Sequence, residues 1–304
     1  MNYVSDIKEL IGNTPLIKLT HIDIKKNVNI FAKLECFNPG GSVKDRIGVA
    51  MIEGAEKKGI LKRGTTIIDA TAGNTGLGIA LAAINKGYNI ILVVPTKFSI
   101  EKQKLIKALG ANIINTPDEE GMLGAIAKSD ELLKEIPSSI SLGQFENIDN
   151  PLAHYETTGP EIYEALEGHI SYFVAGAGSG GTFTGIVKYL KEKNKNIKGI
   201  LADPEGSTMV GGEHKSYKIE GIGNDFVPKT MELSLVDKVI KVNDEEAFEK
   251  VRLLAKKEGL IVGSSSGAIL AAALKLSEEI DSGNIVVVFP DRGDRYLSTT
   301  LFDD

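Results

Sequence analysis

Gly176-Ala177-Gly178-Ser179-Gly180-Gly181-Thr182 is the string best built to hold an anion. Glycines let successive backbone N–H groups converge, a following helix adds its positive end, and Thr182 adds a hydroxyl donor, so a phosphate is the natural guest. The alternative is a tight strand-to-helix turn without a ligand. A dinucleotide fingerprint is matched only loosely, because Asp203 alone stands where a ribose-binding acid would, and no Gly-Lys-Ser/Thr follows. A second string, Asn38-Pro39-Gly40-Gly41-Ser42-Val43-Lys44-Asp45-Arg46, predicts a strand end and then a helix, with Ser42 as its N-cap and Lys44 in its first turn. An ammonium there faces the positive end of the helix dipole, which favours the neutral, nucleophilic amine. The alternative is one more solvated lysine. Thr71-Ala72-Gly73-Asn74-Thr75-Gly76 offers two hydroxyls, an amide and pliable backbone at another helix start, a setting for a carboxylate or for an ordinary cap by Asn74 or Thr75. Gly263-Ser264-Ser265-Ser266-Gly267 reads, by itself, as a cap.

These turns need a scaffold. The apolar pattern predicts strands at Ile30–Cys36, Thr66–Ala70, Asn89–Val94, Asn112–Asn115, Tyr172–Ala175, Gly199–Ala202, Lys238–Val242 and Ile285–Phe289. Helical periodicity fills the intervals, as at Thr75–Lys86, Ser99–Leu109, Gly124–Ile136, Asp244–Lys257 and Ala268–Ile280. Strands alternating with helices predict an α/β fold with parallel sheets, and IILVV and IVVVF have the unbroken apolar character of strands buried on both faces. In such sheets ligands sit beyond the carboxyl ends of the strands, where the glycine-rich strings fall.

Composition narrows the function. The chain of 304 residues is 42% hydrophobic, with a formal net charge of −6 and no basic stripe of the kind nucleic acid requires. Its apolar runs are strand-sized, well short of a membrane span, and its first residues lack a signal-peptide pattern. The single cysteine, Cys36, reads as a small core residue and fits a reducing cytoplasm. The four histidines lack metal-ligand spacing, so no metal is expected; His154 reads as structural, and Asp291, Arg292, Asp294 and Arg295 read as a charge cluster at a helix start.

Taken together, IGNTPL, NPGGSVKDRIG, TAGNTG, QFENIDNPLAHYETTGPEI, GSGGTFTG, EGIGNDFVP and GSSSGA, in that order from Ile11 to Ala268, resemble the cysteine synthase and cystathionine β-synthase group of fold-type II pyridoxal-phosphate enzymes. The resemblance implies two α/β domains: a smaller, mobile one over 39–141 and a larger one from 1–38 with 142–304, the cofactor lying in the cleft between them, and a homodimer. It implies that Lys44 carries pyridoxal phosphate as a Schiff base and shuttles the α-proton of the substrate. Gly178, Ser179, Gly180, Gly181 and Thr182 would cradle the cofactor phosphate, Asn74 would meet the ring hydroxyl, and Ser265 the pyridine nitrogen. Thr71, Ala72, Gly73, Thr75 and Gln144 would bind the substrate carboxylate, and Gly221 would line the mouth of the site.

The implied reaction is β-elimination or β-replacement on O-acetylserine, serine or cysteine through an aminoacrylate, with sulfide or a thiol as nucleophile, so that a Cβ–S bond forms or breaks. Two departures from the family pattern bear on the substrate. Ala72 stands where the family commonly has serine, and Asn224-Asp225 follows the glycines of EGIG. With VNDEEAF, these lean towards the cystathionine β-synthase branch. Asp225 has three readings: a solvated loop charge, a partner for the amino group of a second amino-acid substrate, or a catalytic group that activates water or orients a thiol. The last two frame an alternative activity, release of hydrogen sulfide from L-cysteine with lanthionine or serine as product. A serine/threonine dehydratase is disfavoured by GGSVKDR and HYETTGPEI, an inactive regulatory homologue by the presence of Lys44, Asn74 and Ser265, and a nucleotide-dependent oxidoreductase by the absence of a role for Lys44.

Overall fold

The computed structural model describes residues 3–303 apart from Ala72. It divides into two compact units, one made of the N-terminal segment to Ile11 with Asn38–Asp149, the other of Gly12–Phe37 with the chain from Asn150 onward.

The smaller unit carries a four-stranded sheet. β3 (Thr66–Ala70), β4 (Asn89–Pro95), β5 (Asn112–Thr116) and β6 (Ser139–Ile140) lie in the order β5-β4-β3-β6, every pairing parallel. Four helices accompany it: α1 (Lys44–Lys57), α2 (Asn74–Ala83), α3 (Ile100–Ala108) and α4 (Gly121–Glu135). Helix α4 covers the sheet, packing Ala125 and Leu132 against Ile68 and Val93. Helices α1 and α2 meet backbone to backbone. A methyl group added at Gly48 would lie 2.8 Å from the Ile79 nitrogen, and one at Gly78 would lie 2.8 Å from the Lys44 carbonyl carbon.

The larger unit carries a six-stranded sheet in the order β1-β2-β10-β7-β8-β9, with β1 at Leu16–Lys18, β2 at Val28–Leu34, β7 at Tyr172–Gly176, β8 at Lys198–Pro204, β9 at Lys238–Val242 and β10 at Gly283–Phe289. The last five strands of that order pair in parallel. The parallel arrangement gives way only at the described edge, where the three-residue β1 runs antiparallel to β2; a short edge strand joined by a loop needs no crossover helix. One face of the sheet packs α8 (Asp244–Glu258) and α9 (Ser264–Glu279), burying Leu254, Leu270 and Val287. The other packs α6 (Gly159–Ala165) and α7 (Gly181–Lys193) over Phe173, Phe183 and Val286, and α5 (Asp149–Ala153) leads into them. At about 25 cal/mol per Å², each large apolar side chain so buried contributes roughly 2 kcal/mol.

The expected helix-start charge cluster falls at a short 3₁₀ turn, Gly293–Tyr296, with Asp291 and Arg295 buried, and the Tyr296 hydroxyl donates to Asp291 Oδ2 at 2.7 Å. Cys36 is buried, and that burial pushes its thiol up to about 12, so it stays a protonated core residue. Among the described residues no helix is long and apolar enough to cross a membrane.

Candidate active site

In the smaller unit, Lys44 is the first residue of α1. The N-cap is Val43, without a side-chain bond; Ser42 lies one residue earlier than expected and its Oγ accepts from the Lys44 N–H at 3.3 Å. The Pro-Gly-Gly turn before it is tight because the buried Asp45 carboxylate folds back to accept the Gly40 N–H at 2.5 Å. Gly41, at φ +79°, needs the freedom of a glycine.

The second string sits at the carboxyl end of β3. The cap of α2 is Gly73, at φ 120° and ψ −60°, rather than Asn74 or Thr75, and it makes no side-chain bond. Thr71 Oγ1 accepts from the N–H groups of Gly73 and Gly76 at 3.1 and 3.2 Å, fixing the turn. Asn74 is then the first residue of α2 and half-buried. Thr75 donates its hydroxyl to Gln144 Oε1 at 2.6 Å. Thr71, Gly73, Thr75 and Gln144 are thus gathered at one strand end, although Gln144 is far away in sequence; Ala72 lies outside the described residues.

What brings Gln144 there is a residue the sequence reading passed over. Asp69, inside the apolar strand β3, is buried and accepts from Ser141 Oγ at 2.7 Å, the Leu142 N–H at 3.0 Å and the Gly143 N–H at 3.1 Å. Burial pushes its carboxyl above the usual carboxylate range, against these three donors, which lower it. The signal was the acid in TIIDA: a charge within a buried parallel strand requires partners.

In the larger unit, Gly180, left-handed at φ +83°, precedes α7 and gives it no side-chain cap. The first-turn N–H groups of a helix have no intrahelical acceptor, so they face the loop Gly178–Thr182 as anion donors. The loop admits nothing larger than glycine at several points. A methyl at Gly180 would lie 2.5 Å from Met231 Cβ, one at Gly181 would lie 2.8 Å from Asn150 Nδ2, and one at Gly178 would run into the Gly221 carbonyl. Behind it, Asn150 Nδ2 donates to Ser179 Oγ at 3.0 Å, and Thr230 donates its hydroxyl to the Ser179 carbonyl.

The structure therefore places Gly221 directly on the glycine loop. The Gly223 N–H donates to the Ala177 carbonyl at 2.8 Å, and Asn224 donates its amide to the Gly178 carbonyl. Asn224 is therefore a buttress of the loop, and its place directly after Gly223 was the only hint. Ser265 is the second residue of α9 and buried; its neighbour Ser264 accepts the Glu220 N–H at 2.9 Å, tying α9 to the Gly221 turn. Asp225 points outward, 57% exposed, with Oδ1 2.9 Å from His214 Nδ1. Asp203, at the carboxyl end of β8, is buried and paired with Lys241 Nζ at 2.5 Å, so it is no ribose ligand.

A phosphate fits this cradle: backbone donors uncapped by any side chain, close backbone approach at three glycines, and a Thr182 hydroxyl. Residues 7–291 match the family model described as pyridoxal-phosphate dependent enzyme. The chain belongs to that family. It is 51% identical over 304 residues, all of this chain and 99% of the other, to the O-acetylserine dependent cystathionine beta-synthase of Bacillus subtilis (strain 168). It is 49% identical over 305 residues to the cysteine synthase of Helicobacter pylori (strain ATCC 700392 / 26695), covering 99% of this chain and all of that one. The crystal structure of the O-acetylserine dependent cystathionine beta-synthase from Helicobacter pylori superposes with a TM-score of 0.96 at 48% identity, over 99% of this chain and 100% of that one. That of a hydrogen sulfide-producing enzyme from Fusobacterium nucleatum gives 0.94 at 41% identity, over 97% of this chain and 100% of that one. This family member is an enzyme, and its cofactor is pyridoxal phosphate.

Proposed function

We propose that this enzyme exchanges or removes the β-substituent of a serine- or cysteine-type amino acid, forming or breaking a Cβ–S bond. One observation carries the reading. The lysine and the carboxylate-binding cluster ride on two helices in backbone contact, with Gly78 of α2 against the Lys44 carbonyl and Thr75 of the same helix bonded to Gln144.

Pyridoxal phosphate, when bound, supplies the electron sink that makes a substrate Cα–H acidic. The chain supplies the rest. Lys44 Nζ is the attachment point and then the base that takes the α-proton and returns it. Gly178, Ser179, Gly180, Gly181 and Thr182 hold the phosphate through N–H and hydroxyl donors. Asn74 holds the ring hydroxyl. Ser265 Oγ meets the ring nitrogen as a neutral partner, which damps electron withdrawal and favours chemistry at Cβ over transamination. Thr71, Gly73, Thr75 and Gln144 bind the substrate carboxylate, and at Ala72 the hydroxyl of the family's serine is missing from that set. Gly221 borders the mouth. The nucleophile or leaving group is sulfide or a thiol, with O-acetylserine, serine or cysteine as the amino acid. The homodimer implied by the resemblance and the cytoplasmic setting that the single cysteine fits belong to the same reading.

The exposure of Asp225 favours a second reading, in which its carboxylate receives the ammonium of an amino-acid thiol and L-cysteine is consumed with release of sulfide. The discriminating experiment compares parent and Asp225→Asn with sulfide and with an amino-acid thiol as acceptors. A rise in KM of about tenfold for the amino-acid thiol alone supports it, as expected when a charge-assisted bond is lost. Equal kinetics for both acceptors in the two proteins refute it.

A further inference from the structure

His154 reads as structural in the sequence, and the structure gives it more to do. It opens a π-helical turn, His154–Thr158, between α5 and α6, and is completely buried. Such turns are rare and recur beside functional sites. Both ring nitrogens lie within hydrogen-bond distance of a threonine hydroxyl: Nδ1 is 2.9 Å from Thr158 Oγ1, and Nε2 is 3.1 Å from Thr182 Oγ1. The ring is pressed onto α7 where a glycine makes room, since a methyl at Gly185 would lie 2.9 Å from His154 Cβ. Its position relative to the glycine loop is therefore set by packing as well as by hydrogen bonds.

We infer that His154 is a positioning residue that orients the Thr182 hydroxyl towards the cofactor phosphate through a directional chain, Thr158 O–H to Nδ1 and Nε2–H to Thr182 Oγ1. The inference rests on the reading of Gly178–Thr182 as the phosphate loop. A bound phosphate is an acceptor, so Thr182 spends its only proton on it, and the Thr182 oxygen must then accept from the neighbouring ring nitrogen. That places the imidazole proton on Nε2. A neutral imidazole has one donor, which leaves Nδ1 to accept from Thr158. A hydroxyl left free to rotate would share its proton among other acceptors; the chain fixes one rotamer in advance.

The chain is tested in the holoenzyme by 15N NMR of labelled histidine, with the His154 signal assigned by its loss in His154→Gln. A neutral Nε2–H tautomer is expected; an Nδ1–H tautomer or a doubly protonated ring overturns the inference. Two replacements supply a second readout. Gln carries an amide donor to the Nε2 position, whereas Asn reaches only the Nδ1 side. Cofactor dissociation should weaken about tenfold in His154→Asn and by less than about threefold in His154→Gln, with the 31P signal of the cofactor phosphate displaced only in the former. Equal behaviour of the two variants overturns the chain. Thr182→Val separates the premises: a parent-like 31P signal and affinity there overturn the phosphate-loop reading itself, whereas a changed signal with indistinguishable His154 variants overturns the chain alone.

Discussion

Replacing Gly78 with alanine adds one methyl group at the contact that ties Lys44 to the loop proposed to bind the substrate carboxylate. That methyl would run into the Lys44 carbonyl oxygen, its nearest neighbour, and lie 2.8 Å from the carbonyl carbon, so it falls roughly 1 Å short of the 3.4 Å at which ordinary contact begins, against a helix backbone that cannot swing aside. Helices α1 and α2 must therefore separate by about that amount. Two energies compete. Alanine is favoured over glycine inside a helix by about 1 kcal/mol, whereas overpacking costs about 1–3 kcal/mol. The net loss, about 0–2 kcal/mol, is small beside the roughly 5–15 kcal/mol that keeps a domain folded. Catalysis is more sensitive: a misplacement of 1 Å in a reacting group costs about a hundredfold, so a shift of this size costs on the order of a hundredfold in kcat. The assay pairs urea unfolding with steady-state kinetics on the holoenzyme. Leu254→Ala, on the buried face of α8 in the larger unit, is the control. It should lose about 2–5 kcal/mol of stability with kcat unchanged while the protein is folded. Parent-like kcat and KM in Gly78→Ala would refute the coupling of Lys44 to the carboxylate loop.

Asp69→Asn keeps the shape but turns an amide donor towards the N–H or hydroxyl groups that now bond to the carboxylate. It should destabilise by about 2 kcal/mol and raise KM for the amino-acid substrate through the displaced Gln144, as read by unfolding and kinetics. The ion-pair cluster on α7 predicts a pH effect. Although burial pushes the Asp237 carboxyl up, bonds from Lys191 and the Gly199 N–H win and hold it below the usual carboxylate range. Because the folded value is the lower one, this contribution is complete above the ordinary carboxylate value and is lost as pH falls from there through the lowered value. Thermal unfolding of Asp237→Asn should accordingly show a shallower acid limb than the parent, and identical slopes would contradict the assignment.

Much of the architecture was legible because buried parallel strands advertise themselves: Thr66–Ala70 and Lys238–Val242 begin and end where the apolar runs do. The strands β1 and β6, at three and two residues, are too short to carry a pattern, and pairing with neighbours rather than their own composition defines them. The placement of the proposed site residues within one string was legible in the same way, since Lys44, Asn74 and Ser265 all fall on the first or second residue of a helix. Residues acting across sequence distance were not. Asp69 works on Ser141, Leu142 and Gly143, Asn224 works on Gly178, and His154 works on Thr182; no local spacing encodes such pairs. Caps were misread for a related reason: Gly73, rather than Asn74 or Thr75, takes the N-cap position of α2. The Asp291–Arg295 segment looked like a solvated helix start because its charges, not the tyrosine and glycine that bury them, dominate its composition.

The most direct test of the account is to reduce the purified holoenzyme with borohydride, digest it and locate the lysine that carries the cofactor by mass spectrometry, with visible spectra recorded on adding L-cysteine or O-acetyl-L-serine beforehand. The account predicts a single labelled peptide bearing Lys44, a visible band that changes on adding an amino-acid substrate, and neither the label nor that band in Lys44→Ala. A label on any other lysine, or a protein that binds no pyridoxal phosphate when it is supplied, would contradict it.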